Sequence, residues 1–510
     1  MTLFLQNKSF TFIIPFLLGL ITSFSLPPYS FFFINFLTLP LLLIFLISNY
    51  KKGKWISFKI GWIFGFGYFL SNLYWITNSL TFDDILKPLI PIALVLIPLF
   101  LGVFYGFVTL LSSLFNLNKK FSTILIFSTF FSLIEYFRGF VLGGFPWNLI
   151  AFSWTDYLSI LQILPFVGTY SFNLLSLTIF LIPTIIFFQY KIKPKLLFLL
   201  LSTGLLFINF LYGSFILKKD EKINQKNLDF IIKIVSPKVE INRFFEDESP
   251  EKIISELIKL SKPDNYKKTI FIFPEGVFSN VYLEDLNNYN YIFSENYSNQ
   301  HTIILGIKST ENENVFNSMV VLDSNLKVLA KYNKNKLVPF GEYLPFENFF
   351  QKFGLKKITQ GYKSFSKDFE RKIISINNLN FVPLICYEII YSGKINKTEN
   401  DFDLILNISE DGWFGNSIGP YQHFSHSIFR SIEEGKNIIR SANNGISAYI
   451  DSNGLIVAKL ESTQRGVIEV NKYKKINETI FSKFGNKMFF YFILFYTILF
   501  FLNYKKRRGA

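Results

Sequence analysis

At 510 residues, half of them apolar and 64 of them Phe, the chain is long enough for several domains and too apolar for an ordinary soluble protein, so a membrane protein is expected. Its formal charge of +15 comes with an abundance of Asn and no basic stripe interleaved with aromatics, which argues against a nucleic-acid partner. A single cysteine excludes an internal disulfide and leaves that thiol free to act as a nucleophile.

Apolar runs of spanning length fall at about residues 9–26, 30–48, 56–78, 88–114, 121–138, 160–189 and 196–217, with one more near 488–504. No small-residue cleavage site follows the first, and the next begins directly after Pro27-Pro28, so a retained helix is expected there rather than a signal peptide. Lysines mark alternate connections: Lys51, Lys52, Lys54 and Lys59, then Lys119 and Lys120, then Lys191, Lys193 and Lys195, and finally Lys505 to Arg508. Because cytoplasmic loops retain positive charge, both termini are expected in the cytoplasm and the stretch from Lys218 to Ser482 outside it. The expected organisation is a seven-helix transmembrane domain over 1–217, an extracytoplasmic domain over 218–482, and a C-terminal transmembrane helix with a basic cytoplasmic tail over 483–510.

One connection stands apart: Glu135-Tyr-Phe-Arg138-Gly139-Phe-Val-Leu-Gly143-Gly144-Phe145-Pro146-Trp147. Arg138 and Trp147 near a bilayer face suit contact with a phospholipid headgroup, or a loop dipping back into the membrane. The plainer alternative is an interfacial anchor of Trp and Arg.

From Lys218 the pattern changes to short β-rich runs, Phe230 to Val235, Thr269 to Phe273, Thr302 to Ile307, Phe381 to Ile385 and Leu404 to Ile408, separated by polar turns. Helix-like mixtures lie between them, as in Glu251 to Leu260 and His423 to Arg440. Fully apolar strands alternating with helices predict an α/β layered domain with its sheet covered by helices.

Three polar residues end such strands, where α/β domains place reactive groups. Glu275 follows Phe273-Pro274, Lys334 follows Tyr332-Asn333, and Cys386 follows Val382-Pro-Leu-Ile385. An acid, an amine and a thiol make an acyl-transfer set: the carboxylate takes the thiol proton, the ammonium holds the developing oxyanion, and the thiolate attacks a carbonyl. A helix starting at Tyr387 and Glu388 would depress the thiol pKa through its N-terminal dipole. Taken singly, Glu275 reads as a helix cap, Lys334 as a solvated lysine and Cys386 as core packing. Their order and strand-end placement set the group above those readings.

These motifs resemble the nitrilase superfamily: Phe273-Pro-Glu275, Lys334 followed by Leu-Val-Pro-Phe-Gly-Glu342, and Ile385-Cys386-Tyr387-Glu388. Asn407-Ile-Ser-Glu-Asp411-Gly-Trp413-Phe414-Gly415 through Pro420-Tyr-Gln-His423, with Arg440-Ser-Ala-Asn443-Asn444-Gly445, on a chain with a helical bundle, is similar to the bacterial apolipoprotein N-acyltransferases. The resemblance implies an αββα nitrilase-like sandwich on a multi-helix membrane bundle, in the bacterial inner membrane with the catalytic domain periplasmic. It implies transfer of an acyl chain from a phospholipid, through a Cys386 thioester, to the N-terminal amine of diacylglyceryl-cysteine apolipoproteins, by a monomer without cofactor or metal. On that reading Glu275 is general base and acid, Lys334 the oxyanion stabiliser and Cys386 the nucleophile. Glu342 positions Lys334 or a proton, and Tyr387 and Glu388 shape the thiol pocket. Arg138 matches the arginine of the family's Glu-x-x-Arg-Gly loop, and Arg138, Trp147 and Trp413 are candidate lipid or substrate contacts.

Two departures bear on this. Ser409-Glu410-Asp411 stands where the family reads Ser-Asn-Asp, and a carboxylate facing Cys386 would raise the thiol pKa, so Glu410 is expected to turn away or to pair with a cation. Val235-Ser236-Pro237-Lys238 replaces the family's Gln-Gly-Asn stretch, so no substrate role is carried to it. His423 and His426, three apart on an expected helix, lack a third familiar ligand, and a structural role is the better reading. Pairs such as Glu433-Glu434 and Lys474-Lys475 are expected on solvated faces. The alternatives are a membrane-anchored nitrilase-type amidohydrolase, in which water ends the thioester, and a transporter or inactive scaffold. The bundle disfavours the first, and the scarcity of ionisable residues inside the spans disfavours transport.

Overall fold

The computed structural model describes residues 10–117, 120–188, 190–220, 225–245, 249–278, 280–345, 347, 364–395, 402–474 and 478–505. Lys119, Lys506, Arg507 and Arg508, used above for orientation, lie outside them, as does Lys475. The chain divides into two compact units, one of Met1–Thr77, Pro88–Lys222 and Thr479–Ala510, the other of Asn78–Lys87 and Ile223–Glu478.

The first unit is helical: α1 (Phe10–Thr22), α2 (Asn35–Asn49), α3 (Lys54–Leu73), α4 (Ile90–Ser113), α5 (Phe121–Arg138), α6 (Leu158–Leu161), α7 (Leu164–Leu181) and α8 (Ile192–Asp220), with a last long helix at Lys487–Lys505. Each of the eight apolar runs thus carries a helix. Among the described residues, five helical stretches, Phe32–Lys52, Lys87–Ser113, Phe121–Arg138, Leu164–Phe187 and Ile192–Lys219, are long and apolar enough to cross a membrane, and Phe12–Ser25 and Lys487–Asn503 are shorter apolar helices. This is a multi-pass membrane unit. Small residues let its helices approach, as lipid-embedded packing requires: a Cβ on Gly61 of α3 would lie 2.1 Å from the Tyr105 carbonyl oxygen of α4.

Arg138 and Trp147 sit inside this unit, at 1% and 2% exposure. The Arg138 guanidinium donates to the Phe145 carbonyl, pairs with Glu135 at 3.7 Å and lies over the Phe69 ring. Glu135 in turn accepts from Tyr105 Oη at 2.9 Å and from Asn173 Nδ2. Trp147 packs on Phe145 and Trp75. The loop therefore turns inward onto its own helices instead of displaying an interfacial anchor, because the buried Glu135 gives the guanidinium an internal partner.

The second unit holds two six-stranded sheets. One runs in the order β12-β1-β2-β3-β4-β5 and the other β11-β10-β9-β8-β7-β6. Their strands are β1 (Gln225–Ser236), β2 (Thr269–Ile272), β3 (His301–Glu311), β4 (Asn314–Leu322), β5 (Val328–Asn333), β6 (Ile374–Ile376), β7 (Leu379–Ile385), β8 (Leu404–Glu410), β9 (Asn437–Asn443), β10 (Ser447–Ile450), β11 (Ile456–Leu460) and β12 (Gly466–Lys474). In each sheet a parallel core, β1-β2-β3 or β7-β8-β9, is flanked by antiparallel strands. The central strands are apolar because both their faces are covered. Helix Pro250–Ser261 shows how: Ser249 caps it, Pro250 opens it, and Ile253, Ile254, Leu257 and Ile258 bury one face with Val235, Phe271, Phe273, Ile303 and Leu305. Ser441 Oγ donates to the Val235 carbonyl at 2.8 Å, joining the two sheets. The helix expected over His423 to Arg440 is instead helix Gly419–Glu434 followed by β9. Gly435, with φ +63°, ends the helix in a left-handed turn that a side chain would oppose.

Candidate active site

Glu275, Lys334 and Glu342 come together although β2, β5 and a loop supply them. Lys334 Nζ donates to Glu275 Oε1 at 3.2 Å and to Glu342 Oε1 at 2.9 Å. Asn317 Nδ2, from β4, donates to the same two oxygens at 2.6 and 2.7 Å. Backbone holds the other oxygens: the Glu410 N–H donates to Glu275 Oε2 at 3.0 Å, and the Val338 N–H to Glu342 Oε2 at 2.8 Å. β3 passes so close that a Cβ on Gly306 would lie 2.6 Å from Glu275 Cα, a space only glycine leaves.

Two buried carboxylates share one ammonium. Burial pushes the Glu275 carboxyl up against the pull of Lys334, and Glu342 adds to the rise. Burial pulls the Lys334 ammonium down, but Glu275 and Glu342 outweigh it and hold the lysine well above its ordinary range. The cluster thus sets an ammonium that keeps its proton firmly beside a carboxyl whose proton affinity burial raises.

Cys386 leaves β7 at φ +48°, a left-handed conformation that is strained for a residue with a side chain, and opens the 3₁₀ turn Cys386–Ile390. Glu388 anchors that turn. Its carboxylate accepts from the N–H groups of Ile385 at 2.8 Å, Asn335 at 3.1 Å and Lys336 at 3.2 Å, and from Tyr332 Oη at 2.7 Å, with Arg371 Nη2 at 3.4 Å. One buried carboxylate so ties the thiol's turn to the loop that carries Lys334. Tyr387 is buried edge-on against Tyr391.

The depressed thiol expected from a helix N-terminus is not found. A five-residue 3₁₀ turn carries little macrodipole, and burial, reinforced by Glu275 and only partly opposed by Lys334, pushes the Cys386 thiol well up. The thiol therefore holds its proton more tightly than an exposed cysteine does.

A second cluster backs the cysteine. Asp411 accepts from Ser409 Oγ at 2.6 Å and from Arg440 Nη2 at 2.8 Å, and lies 2.9 Å from His423 Nδ1. Burial would push the Asp411 carboxyl up, yet Arg440 and His423 hold it well below the usual carboxylate range. The donor atoms of Cys386, Asp411 and His423 lie within 4.8 Å of one another. With a guanidinium already on Asp411, this is a charge-matched support for the thiol's wall.

Glu410 pairs with a cation, as expected: it accepts from Arg243 Nη2, from Asn443 Nδ2 at 2.7 Å and from the Gly412 N–H at 2.8 Å. Trp413 is half-buried, stacked on Phe244 with Phe82 and Phe245 at its edges. Glu433, Glu434 and Lys474 are buried, not solvated. Arg430 Nε pairs with Glu433 at 2.6 Å and Arg430 Nη1 donates to the Ile390 carbonyl, so that ion pair braces the far end of the thiol turn.

Asn317, Arg243 and Arg371 hold the site and carry no motif that would have singled them out. Asp411 and Arg440 lie inside strings that the sequence does display, but only the fold reveals that they pair.

Residues 18–182 match the family model for the apolipoprotein N-acyltransferase N-terminal domain, and residues 292–472 match the carbon-nitrogen hydrolase model. An apolipoprotein N-acyltransferase of Rhizobium leguminosarum bv. trifolii is 30% identical over 467 residues, 87% of this chain and 86% of its own. That of Agrobacterium fabrum is 31% identical over 471 residues, 88% of each. Among solved structures, a CN-hydrolase superfamily protein of Xanthomonas campestris aligns with 91% of its length and 49% of this chain, at 15% identity and a TM-score of 0.33. The chain belongs to the apolipoprotein N-acyltransferase family.

Proposed function

We propose that the chain completes lipoprotein maturation by carrying an acyl chain on Cys386 from a phospholipid to the α-amine of a diacylglyceryl-cysteine apolipoprotein. The carrying observation is the pair of carboxylates on one ammonium, Glu275 and Glu342 on Lys334, of which Glu275 and Lys334 act electrostatically on the Cys386 thiol. Glu275 takes the thiol proton as sulfur bonds to the ester carbonyl carbon, and the Lys334 ammonium holds the resulting oxyanion. Collapse breaks the ester bond, Glu275 returns the proton to the leaving alkoxide, and a lysophospholipid departs from a thioester. The lipoprotein amine then bonds to the thioester carbon, Glu275 takes its proton, and the carbon–sulfur bond breaks to give the amide and, once reprotonated, the thiol. Glu342 and Asn317 keep Lys334 and Glu275 in register, and Glu388 holds the thiol's turn. Half-buried Trp413 and its neighbouring rings are the surface on which an acyl chain would lie. Arg138 and Trp147 would reach a headgroup only from within the helical unit.

The alternating lysine clusters support cytoplasmic termini and a periplasmic domain over 218–482, between transmembrane segments 1–217 and 483–510 of an inner-membrane monomer. The test supplies membranes bearing the protein with a diacylglyceryl-cysteine lipopeptide and reads the peptide's mass. The expected result is a gain of one acyl group that Cys386→Ala abolishes. No gain with the wild type sinks the reading, and release of free fatty acid in place of acylated peptide would make the protein a hydrolase.

A further inference from the structure

Glu275 is held from two sides by residues that form no part of the reaction. Its Oε2 accepts from the backbone N–H of Glu410 at 3.0 Å. The carbonyl of the next residue, Gly276, accepts from Arg243 Nε at 3.2 Å and Nη2 at 2.8 Å. Arg243 and Glu410 then close the bracket on each other through a buried ion pair, at 0% and 2% side-chain exposure. The remaining bonds leave this bracket little freedom. Arg243 Nη1 donates to the carbonyls of Glu240 at 2.8 Å and Val239 at 3.3 Å, and its guanidinium lies over the Phe244 ring at 4.4 Å. Glu410 is pinned further by Asn443 and the Gly412 amide.

We propose that Arg243 and Glu410 are a positioning pair that sets the orientation of Glu275 during acyl transfer; this rests on the acyl-transfer reading above. The physical reason lies in what the pair joins. Glu275 sits in a turn beyond β2, Glu410 ends β8 in the other sheet, and Arg243 belongs to the turn Ile241–Phe244. Ser441 and Glu388 link the two halves elsewhere, and this pair adds a cross-link beside the base itself, where a misplacement of about 1 Å can cost about a hundredfold in rate. A buried pair serves this purpose because removing one partner leaves the other charge uncompensated, whereas removing both does not. Arg243 also supplies the cation that keeps the Glu410 carboxylate occupied next to the site. Neither side chain touches the reacting atoms, so both are positioning residues and not catalytic ones.

The test uses the full-length protein in mixed micelles with a defined diacyl phosphatidylethanolamine and follows Cys386 acylation by intact mass in a single turnover. Two quantities are read: the rate constant and the fraction of protein finally acylated. Glu410→Gln is expected to lower the rate constant about tenfold to a hundredfold at full amplitude, since a mispositioned base slows each molecule without inactivating any. Arg243→Met should do the same, and Arg243→Met/Glu410→Gln should be no slower than the slower single variant, because the pair acts as one unit. The double variant also leaves no unpaired buried charge, which keeps the comparison open if a single variant folds poorly. A Glu410→Gln rate equal to that of the wild type overturns the inference. So does a lower amplitude at an unchanged rate constant, which marks a merely structural role, and so do effects that multiply in the double variant. A wild type that never acylates Cys386 overturns the acyl-transfer reading itself, whereas a wild type that does so alongside an equally fast Glu410→Gln overturns only the pair.

Discussion

Two ionic clusters act on Cys386, and they differ in how charge is matched. Around Lys334, two carboxylates compete for one ammonium, and burial, with Glu342 adding to it, lifts the Glu275 carboxyl above its ordinary range. Around Arg440, one carboxylate meets one guanidinium with His423 alongside, and Asp411 is held firmly ionised. Both are buried and both use Asp or Glu against a base, yet their carboxyls shift in opposite directions. Counting charges inside a cluster therefore separates a carboxyl that binds its proton more tightly from one that stays ionised, where burial alone does not.

The comparison can be broken most directly at its two carboxylates. Glu275→Gln keeps the shape but removes the proton acceptor proposed above, and should slow Cys386 acylation by about 10³-fold while leaving the unfolding midpoint nearly unchanged. Single-turnover acylation beside a denaturant titration checks both parts, and a loss of stability without loss of rate would reverse the assignment. Asp411→Asn should do the opposite: it strands Arg440 in the interior and costs about 3–5 kcal/mol of stability. That figure is read from unfolding of the detergent-solubilised chain, and a variant as stable as the wild type would mean that Asp411 is not the structural member.

A smaller effect sharpens the same contrast at Glu434, a second carboxyl left short of cations. Burial, with Glu433 adjacent, pushes it up to about 8. Between the ordinary carboxyl range and about 8 the folded chain keeps a proton that the unfolded chain has lost, so stability falls as pH rises through that window. Glu434→Gln, which cannot ionise, should match the wild type near about pH 4 and exceed it by about 4–5 kcal/mol near about pH 9. A difference that does not change with pH would show that Glu434 stays ionised in the fold.

Much of the second unit was legible along the chain. Each of the five apolar runs taken as strands falls on β1, β2, β3, β7 or β8, Phe273 alone lying one residue past β2, because strands buried on both faces must be apolar throughout. The end of helix Gly419–Glu434 was missed although Gly435 announces it, since the polar-apolar mixture runs on past the glycine into β9. The solvated faces assigned to Glu433 and Glu434 failed for another reason. Charge in a sequence reads as exposure unless a partner is known, and Arg430 and Ser392 become partners only in the fold. Glu410 went the other way: a carboxylate next to the site demanded a cation, and that demand could be stated before the cation was found.

What the sequence by itself determined is local or near-local: eight apolar runs, the strands that lead to Glu275 and Cys386, the string from Lys334 to Glu342, and a single thiol. Each follows from hydrophobic pattern or from residue chemistry at short spacing. What only the tertiary structure decided is who meets whom. Asn317 bridging Glu275 and Glu342, Glu388 joining the Cys386 turn to the Lys334 loop, and Arg243 reaching Glu410 all connect residues from different strands and loops. The protonation of Cys386 belongs there too, because burial and the summed field of distant charges set it, and neither is written at any one position of the chain.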